Sequence, residues 1–599
     1  MGAHTKRVRV PEECQGIQVN HCKNLRCGNF GIAAADAPSR GRRPLDNYVF
    51  GAKGELNSSL RCKLCGERSA VKSNVGIAEE LDRLLSDLYP QREGDCCPSA
   101  DCDNAKKSVQ ATPSEYYIHG KSAAGAKRYR CRRCGKTFSC KAKSTARQRK
   151  PEINEMIFRL LMNKMPMRRI CETADIHPAT LYGKIDFLHR QCIWFASRYE
   201  QMILRAPPVT RLYLSVDRQD YVFNWGTQLD RRNVMLHAIG TADNASGYVF
   251  GMHLDFDGSL DPEETERAAI SEGDYEQQYP YRRYARLWLQ RDYDDSHRLK
   301  KRLQAHRASG TMDGATAAAH RSKLEALQMV TEVLPDDIQL ANEVKAPSVG
   351  MQVRAEYTMY AHFLYLRYLL QNVERLRFFM DQEGGIKGIF VASFREDILH
   401  RRVDGFLVRI RKDMSIDEKK NAKAVSEMLL AKTMRHYPEA TRAQATEYVM
   451  RTLIRQAASE TTEREFWVQH PFPDMGEPEK AVCYLTDFGD YDAGHMASLY
   501  LKASLRATDR FFMQVRRRMS IFERPISSAS GRKTWHGYSA YNPAVGAKLL
   551  TIFRTFYNYT LTGEDKKTPA MRLGLMSSPV RLTDIIECQP DEELASPNR

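Results

Sequence analysis

The chain has 599 residues, with 91 Lys and Arg against 74 Asp and Glu for a net charge of +17, and it carries 15 cysteines. Single cores stop growing well below this length, so several domains are expected. No run of eighteen apolar residues occurs, and the opening MGAHTKRVRVPEEC lacks the apolar stretch of a signal peptide. These features exclude a membrane span and predict a chain in a reducing compartment, where cysteines argue for metal binding over disulfides.

The charge is uneven. Residues 1–150 hold 29 Lys and Arg against 15 Asp and Glu, which is 14 of the 17 surplus charges. Between Lys121 and Lys150 there are twelve basic residues and no acidic one, a phosphate-seeking composition.

Eight cysteines in the same region form an internal repeat. The first copy reads Cys22-x4-Cys27, thirty-four residues, then Cys62-x2-Cys65-Gly66; the second reads Cys97-x4-Cys102, twenty-eight residues, then Cys131-x2-Cys134-Gly135. Each copy supplies four thiolates, the ligand set of a tetrahedral structural zinc site with no open position for water or substrate. The flanks repeat as well, with Arg61 and Arg130 before the third ligand and Asn24 or Asn29 and Asn104 near the first pair. Cys14, Cys96, Cys140, Cys171, Cys192, Cys483 and Cys588 lack such partners and read as core thiols. Arg128, Arg130, Arg132 and Arg133 fall on the closing strand and turn of the second ribbon, placed to contact a DNA backbone. The string Cys97-Pro98 with Arg128 to Phe138 resembles the N-terminal zinc ribbon of bacterial insertion-sequence proteins.

After the basic stretch, Ile153, Met156, Ile157, Leu160 and Leu161 recur at helical spacing. A short helix from Pro166 to Ala174, a turn at Asp175-Ile176-His177 and a second helix from Pro178 then predict a helix-turn-helix. Its usual docking nominates Ala179, Thr180, Tyr182, Gly183 and Lys184 to face base edges.

Three strand-like runs follow, Leu212 to Val216, Val234 to Gly240 and Tyr248 to Phe256, spaced as an antiparallel meander. Residues 258–350 read as a charged helical insertion. A helix from about Arg354 to Val373, a strand Arg375 to Met380, a helix around Ile389 to Leu399 and a strand Phe406 to Ile410 complete the order β-β-β-α-β-α-β. That is the order of an RNase H-like domain, in which the first and fourth strands lie side by side. Each here ends in an aspartate, Asp217 and Asp381. Two carboxylates meeting at one sheet edge repel unless a hard divalent cation such as Mg²⁺ lies between them.

A third acid is expected from a late helix. The segment 497–523 is amphipathic, with Leu501, Leu505, Phe512, Val515, Met519 and Phe522 on one face and Asp509 beside that stripe. Glu523 is the alternative, although Arg524-Pro525 should end the helix there. Arg516, Arg517 and Arg518 lie two turns on, placed for phosphates.

Ribbon, helix-turn-helix and core in this order resemble a DDE-type transposase of bacterial insertion sequences. Ser215-Val216-Asp217, Phe379-Met380-Asp381 and the tail Tyr557-Asn558-Tyr559, Lys567-Thr568-Pro569-Ala570 and Leu573-Gly574-Leu575 carry the resemblance over most of the chain. The aspartates are 164 and 128 residues apart, wider than in compact members, and the third acid would be Asp in place of Glu. The resemblance implies two Mg²⁺ per active site held by Asp217, Asp381 and Asp509. It further implies cleavage at an element's end, attack of the freed 3′-hydroxyl on target DNA, a homodimer or larger assembly, and a bacterial cytoplasmic location on the nucleoid. Two other readings share these elements: a non-catalytic DNA-binding regulator or domesticated transposase-derived factor, and a nuclease without strand transfer.

The expected fold class is multidomain α+β. It runs as a zinc ribbon at 1–80, a second ribbon with basic tail at 81–150, a helix-turn-helix at 151–205 and RNase H-like core at 206–257 and 351–412. A helical insertion at 258–350 interrupts that core. A helical insertion and strand region at 413–495, the acidic core helix at 496–530 and a C-terminal region at 531–599 follow.

Overall fold

A computed structural model of the chain describes residues 9–35, 46–51, 59–90, 96–99, 101–105, 107–109, 112–122, 126–139, 144–145, 148–223, 233–295, 345–382, 385–411, 413–461, 465–523, 526–527, 534–535 and 542–588. Much of the insertion expected at 258–350, together with Cys140 and part of the basic tail, lies outside the described residues.

In chain order, the first ribbon contributes β1 (Tyr48–Gly51), β2 (Ser59–Cys62) and β3 (Arg68–Ala70), followed by α1 (Asn74–Ser86). The second contributes β4 (Tyr116–Lys121), β5 (Lys127–Cys131) and β6 (Thr137–Ser139), followed by α2 (Asn154–Leu161), α3 (Met167–Ala174) and α4 (Pro178–Arg205). The central stretch runs β7 (Arg211–Phe223), β8 (Val234–Asp243), β9 (Val249–Leu254), α5 (Pro262–Ser271), α6 (Ala355–Leu369), β10 (Arg375–Asp381), α7 (Ile386–Ser393), α8 (Arg395–Leu399) and β11 (Val403–Ile410). Then come α9 (Ile416–His436), α10 (Arg442–Ser459), β12 (Val468–Gln469), β13 (Lys480–Tyr484), α11 (Ala493–Lys502), α12 (Arg506–Arg518), α13 (Pro543–Tyr559), α14 (Pro569–Leu573) and α15 (Leu582–Ile586). Among the described residues no helix is long and apolar enough to cross a membrane.

The chain divides into two compact units, residues 1–82, 209–514 and 524–544, and residues 83–208, 515–523 and 545–599. The first is built on a seven-stranded mixed sheet in the order β12-β13-β11-β10-β7-β8-β9. The meander β7-β8-β9 is antiparallel, and β10 lies parallel to both β7 and β11. A strand covered on both faces reads as a near-continuous apolar run. In β10, Leu376, Phe378, Phe379 and Met380 are all fully buried. Phe378 packs against Phe363 of α6, Phe390 of α7 and Phe394, with ring centroids 6.2, 5.2 and 4.9 Å away. Phe379 faces the other way, into a cluster with Phe406, Tyr484, Tyr500 and Leu505. Gly405, opposite Phe378 on β11, is needed for this packing, since a Cβ there would come within 2.3 Å of the Phe390 ring.

The strand ends carry a polar anchor. Asp404 is fully buried on β11 and is ion-paired with Arg377 at 2.9 Å and Arg401 at 3.2 Å. Its carboxylate also accepts from the hydroxyls of Tyr484 at 2.8 Å and Tyr491 at 2.9 Å. A buried charge survives only when its acceptor capacity is filled in this way.

The second unit places α3, a turn and α4 where a helix-turn-helix is expected. Asp175 ends α3 in the left-handed conformation at φ 49°, His177 caps α4 through the N–H of Ala179, and Pro178 opens α4. Left-handed backbone at a helix end is a role that Asp tolerates better than most residues. α4 is 28 residues long, and its Gln191 amide donates to the carbonyls of Ile586 and Cys588 at 2.7 and 2.9 Å.

Two expectations are corrected here. The strand expected to end at Asp217 runs on to Phe223, because β8 pairs with it as far as Phe223↔Val234. The single helix expected over 497–523 is broken. Lys480 donates to the carbonyl of Ala503 at 2.6 Å, and Glu477 accepts from the N–H of Leu505 and the hydroxyl of Ser504, each at 2.8 Å. This pair takes the groups that a continuous helix would have satisfied, so α11 stops and α12 starts. Residues 415–460, expected to be helical, hold α9 and α10, which begin at capping boxes on Ser415 and Thr441.

Replacing Asp404 by Ala leaves Arg377 and Arg401 without their buried counter-charge and is expected to cost ~3–5 kcal/mol. A urea titration followed by far-ultraviolet circular dichroism measures the loss.

Candidate zinc centres and acidic site

The two cysteine quartets are assembled alike. Cys22, Cys27, Cys62 and Cys65 form one set and Cys97, Cys102, Cys131 and Cys134 the other, with all sulfurs of a set within 4.8 Å of one another. Sγ–Sγ distances are 3.5 Å for Cys22–Cys65, 3.8 Å for Cys27–Cys62, 3.2 Å for Cys97–Cys134 and 3.8 Å for Cys102–Cys131. Zn–S bonds of ~2.3 Å in a tetrahedron put sulfurs about 3.8 Å apart, so each set could hold one structural zinc ion.

Each centre has the same supporting residues. Asn29 donates to Cys62 Sγ at 3.5 Å and Asn104 donates to Cys131 Sγ at 3.4 Å. The Tyr48 hydroxyl accepts from the N–H of Cys22, and the Tyr116 hydroxyl from that of Cys97. Tyr48 stands across from Cys62 and Tyr116 across from Cys131 in the hairpin register. Burial pushes these thiols up. In Cys62 and Cys131 the N–H groups of Cys65 and Cys134 and the two asparagine amides outweigh it, and they hold the thiols at about 7 and about 6. Burial leaves Cys22 well above its usual value and pushes Cys97 up to about 12. The sequence left Asn24 and Asn29 open beside Asn104, and the structure selects Asn29, whereas the tyrosines sit at unequal offsets and were missed.

The first ribbon is packed into the sheet unit. Lys23 donates to the Tyr360 hydroxyl at 2.7 Å, Lys72 is ion-paired with Glu356 at 2.6 Å where both are buried, and the N–H of Ser73 donates to Tyr357. Arg286 joins Glu80 of α1 to Asp257 at 3.1 and 2.9 Å.

In the second ribbon, Arg130, Arg132 and Arg133 are exposed and Arg128 is half-buried. Arg133 is ion-paired with Asp103, and the Arg132 guanidinium lies 4.0 Å over the Tyr117 ring. At the start of α4, Ala179, Tyr182 and Gly183 are exposed and Thr180 is half-buried. Lys184 departs from its expected role. It is buried, and its ammonium donates to the carbonyls of Arg149 and Lys150 at 2.8 and 3.0 Å, so its charge holds the preceding linker in place.

The acidic site is positioned by the register of β7 and β10. Met380 pairs with Val216, and Asp217 and Asp381 are the next residues along these two parallel neighbours, strands that in general run about 4.8 Å apart. Asp217 is 5% exposed and Asp381 half-buried, and each accepts at 2.8 Å from the following backbone N–H, of Arg218 and Gln382.

Residues opposite one another on an antiparallel ladder share a face, so Asp217 lies on the side of Gly240. A Cβ on Gly240 would lie 3.0 Å from the Phe512 ring and 3.4 Å from Thr508, so α12 covers that side. Two residues before Asp217, Ser215 accepts from Thr508 twice, from its N–H at 3.2 Å and, at the carbonyl, from its hydroxyl at 2.8 Å. Asp509 follows Thr508 in the first turn of α12 and is half-buried. The Ser215–Thr508 lock has no local signal in the sequence.

Comparison with known proteins finds no matching family model, curated protein or solved structure.

Asp217, Asp381 and Asp509 belong to the first unit and Glu523 to the second. Glu523 follows a short 3-10 turn and is ion-paired with Lys164 at 2.6 Å, which occupies the carboxylate. Arg516 is half-buried and Arg517 exposed in the last turn of α12, where positive charge also favours the helix dipole. Among the described residues only the cysteine quartets bring three ligand atoms within 4.8 Å, so the three aspartates are not drawn into one closed set.

Zinc analysis of the intact protein is expected to give two ions per chain. Asn29→Ala and Asn104→Ala should each weaken one site by roughly 10–100-fold. Zinc binds thiolates, so acidification should release it from both sites. Competition with a chromogenic chelator across pH measures both effects.

Proposed function

We propose that this chain is a DDE-type DNA transposase, whose sheet unit is an RNase H-like core cutting and joining DNA at Asp217, Asp381 and Asp509. The observation that carries this reading is the register of β7 and β10, in which Asp217, inside β7, and Asp381, the last residue of β10, come next in line on two parallel neighbouring strands. The strand order, with the meander β9-β8-β7 continued by parallel β10 and β11, is the order an RNase H-like core requires.

The donor set suits divalent magnesium, which prefers carboxylate oxygens and keeps several waters. Two bound ions would supply stabilisation of the attacking and leaving oxygens of an in-line displacement. Asp217, Asp381 and Asp509 would hold these ions. Asp217, braced by the N–H of Arg218 and nearly buried, is suited to the central position. Asp381 on the next strand and Asp509 on the covering helix are suited to the flanks. The protein's contribution is to hold three negative charges against their own repulsion, through two adjoining strands and the Ser215–Thr508 lock.

DNA would be met by the second unit. Exposed Arg130, Arg132 and Arg133 supply phosphate contacts, and Thr180 and Tyr182 stand at the start of the second helix, the end that reads base edges. The route calls for two double-stranded element ends held together by a homodimer or larger assembly, acting on target DNA. The open spacing of the three aspartates favours a second reading, a DNA-binding factor with an inert core.

Strand transfer of a labelled duplex carrying the ends that flank the gene, with Mg²⁺, separates the two. Asp217→Asn, Asp381→Asn and Asp509→Asn should each lose roughly 10³-fold or more in cutting and joining, equivalent to the several kcal/mol a metal-held transition state supplies, with duplex binding unchanged. Glu523→Gln should stay active. An inactive Glu523→Gln beside an active Asp509→Asn would move the third ligand. A wild-type chain that binds but never cuts would establish the inert-core reading.

A further inference from the structure

The second ribbon carries an exposed face that neither the cysteine quartet nor packing explains, apart from Arg130, which donates to the Gly135 carbonyl at 3.3 Å and whose counterpart Arg61 also precedes the third cysteine of its ribbon. After Tyr116, every residue of β4 from Tyr117 to Lys121 is exposed, with Tyr117 at 52% and Ile118 at 78%. Tyr129 and Cys131 of β5 turn inward onto Tyr116 and Phe138. Strand alternation therefore puts Arg128 and Arg130 on the opposite, outward face, with Arg132 continuing the series two residues on. Tyr117 pairs directly with Arg130, Arg130 with Thr137, and Arg128 with Ser139. The outward face is thus a row of three guanidiniums with a tyrosine, a threonine and a serine. None of the three strands contains an acidic residue.

The first ribbon serves as an internal control, because the two hairpins share a register. Tyr48↔Cys62 corresponds to Tyr116↔Cys131, so Val49 stands where the second ribbon has Tyr117, and Ser59 where it has Arg128. The counterpart of Arg132 is Lys63, which donates to the carbonyl of Asp46. The zinc-holding residues are duplicated, and the aromatic and two of the three arginines are not. Folding the ribbon therefore does not require them.

We propose that the outward face of the second ribbon binds unpaired, single-stranded DNA, with Tyr117 as the stacking platform and Arg128, Arg130 and Arg132 on the backbone. The Arg132 guanidinium covers one side of the Tyr117 ring at 4.0 Å. That pairing presents a rigid, positively biased aromatic surface to a second planar partner. Bases inside a duplex are already stacked and offer only their edges, whereas an unpaired base offers a ring face to such a ledge. The complementary charge is that of the phosphodiester backbone, met by an arginine at every second residue. The site uses no residue of the acidic centre, and although Arg130 and Arg132 also serve the duplex contacts proposed above, Tyr117 does not, so the Tyr117 variants succeed or fail independently of the transposase reading.

The test uses the full chain without added magnesium and a fluorescein-labelled twelve-nucleotide oligothymidylate, with a matched duplex as the second probe. Tyr117→Ala should weaken oligothymidylate binding about tenfold and leave duplex binding unchanged, and Tyr117→Phe should restore it. Arg130→Ala should lower the slope of log affinity against log salt by about 0.7 for the single strand. A 4-thiothymidine oligomer should cross-link within residues 116–139, and zinc content should stay at the wild-type level in every variant. The proposal is overturned if Tyr117→Ala binds the oligomer as wild type does, if Tyr117→Ala lowers single-strand and duplex binding together, or if the cross-links map to other segments.

Discussion

The parallel pairing of β7 with β10 is the constraint on which the rest of the molecule depends. One register, Met380 against Val216, puts Asp217 and Asp381 next in line on neighbouring strands, where their like charges repel. A slip of one residue on either strand would send one carboxylate to the opposite face of the sheet. Contacts at one end of β10 and along it hold the strand against slipping. At one end Arg377 and Asp404 join β10 to β11 through a fully buried ion pair. Between the ends, Phe378 and Phe379 point to opposite faces, each into its own aromatic cluster. Slipping the strand would exchange these two rings as well as the acid.

The covering helix answers to the same constraint. α12 is set down on β7 by Thr508 bonding Ser215, with Phe512 over Gly240. Its start is dictated by Glu477 and by Lys480, the first residue of β13. Asp509 inherits its place from these contacts. The first ribbon belongs to this framework too, tied by Lys72–Glu356 and the bond from Lys23 to Tyr360. Two ribbons with one zinc-binding pattern thus serve different ends, one as a brace of the sheet unit and the other as an exposed surface.

Features with a local cause were legible in the sequence. The Cys-x4-Cys and Cys-x2-Cys-Gly spacing gave both quartets, and Pro166, Asp175 and Pro178 placed α3, its turn and the start of α4. The runs Leu212–Val216 and Arg375–Met380 located two neighbouring strands and their aspartates. Features that needed a distant partner were not legible. Ala503-Ser504-Leu505 contains no residue that breaks helices, and the break is imposed by Glu477 and Lys480. Lys184 sits at a position where a helix-turn-helix would show it to DNA, yet carbonyls thirty-four and thirty-five residues earlier draw it inward. β7 extends past Asp217 because β8 continues to pair with it, which the composition after Asp217 does not announce.

The central claim is that Asp217, Asp381 and Asp509 surround one divalent-metal centre. Replacing magnesium by ferrous iron and generating hydroxyl radicals at the bound ion with ascorbate and peroxide maps that centre on the intact chain. The account predicts backbone cuts clustered around Asp217, Asp381 and Asp509, suppressed by excess Mg²⁺ and by Asp217→Asn. Cuts absent from any one of these three segments, or unchanged in Asp217→Asn, would contradict it.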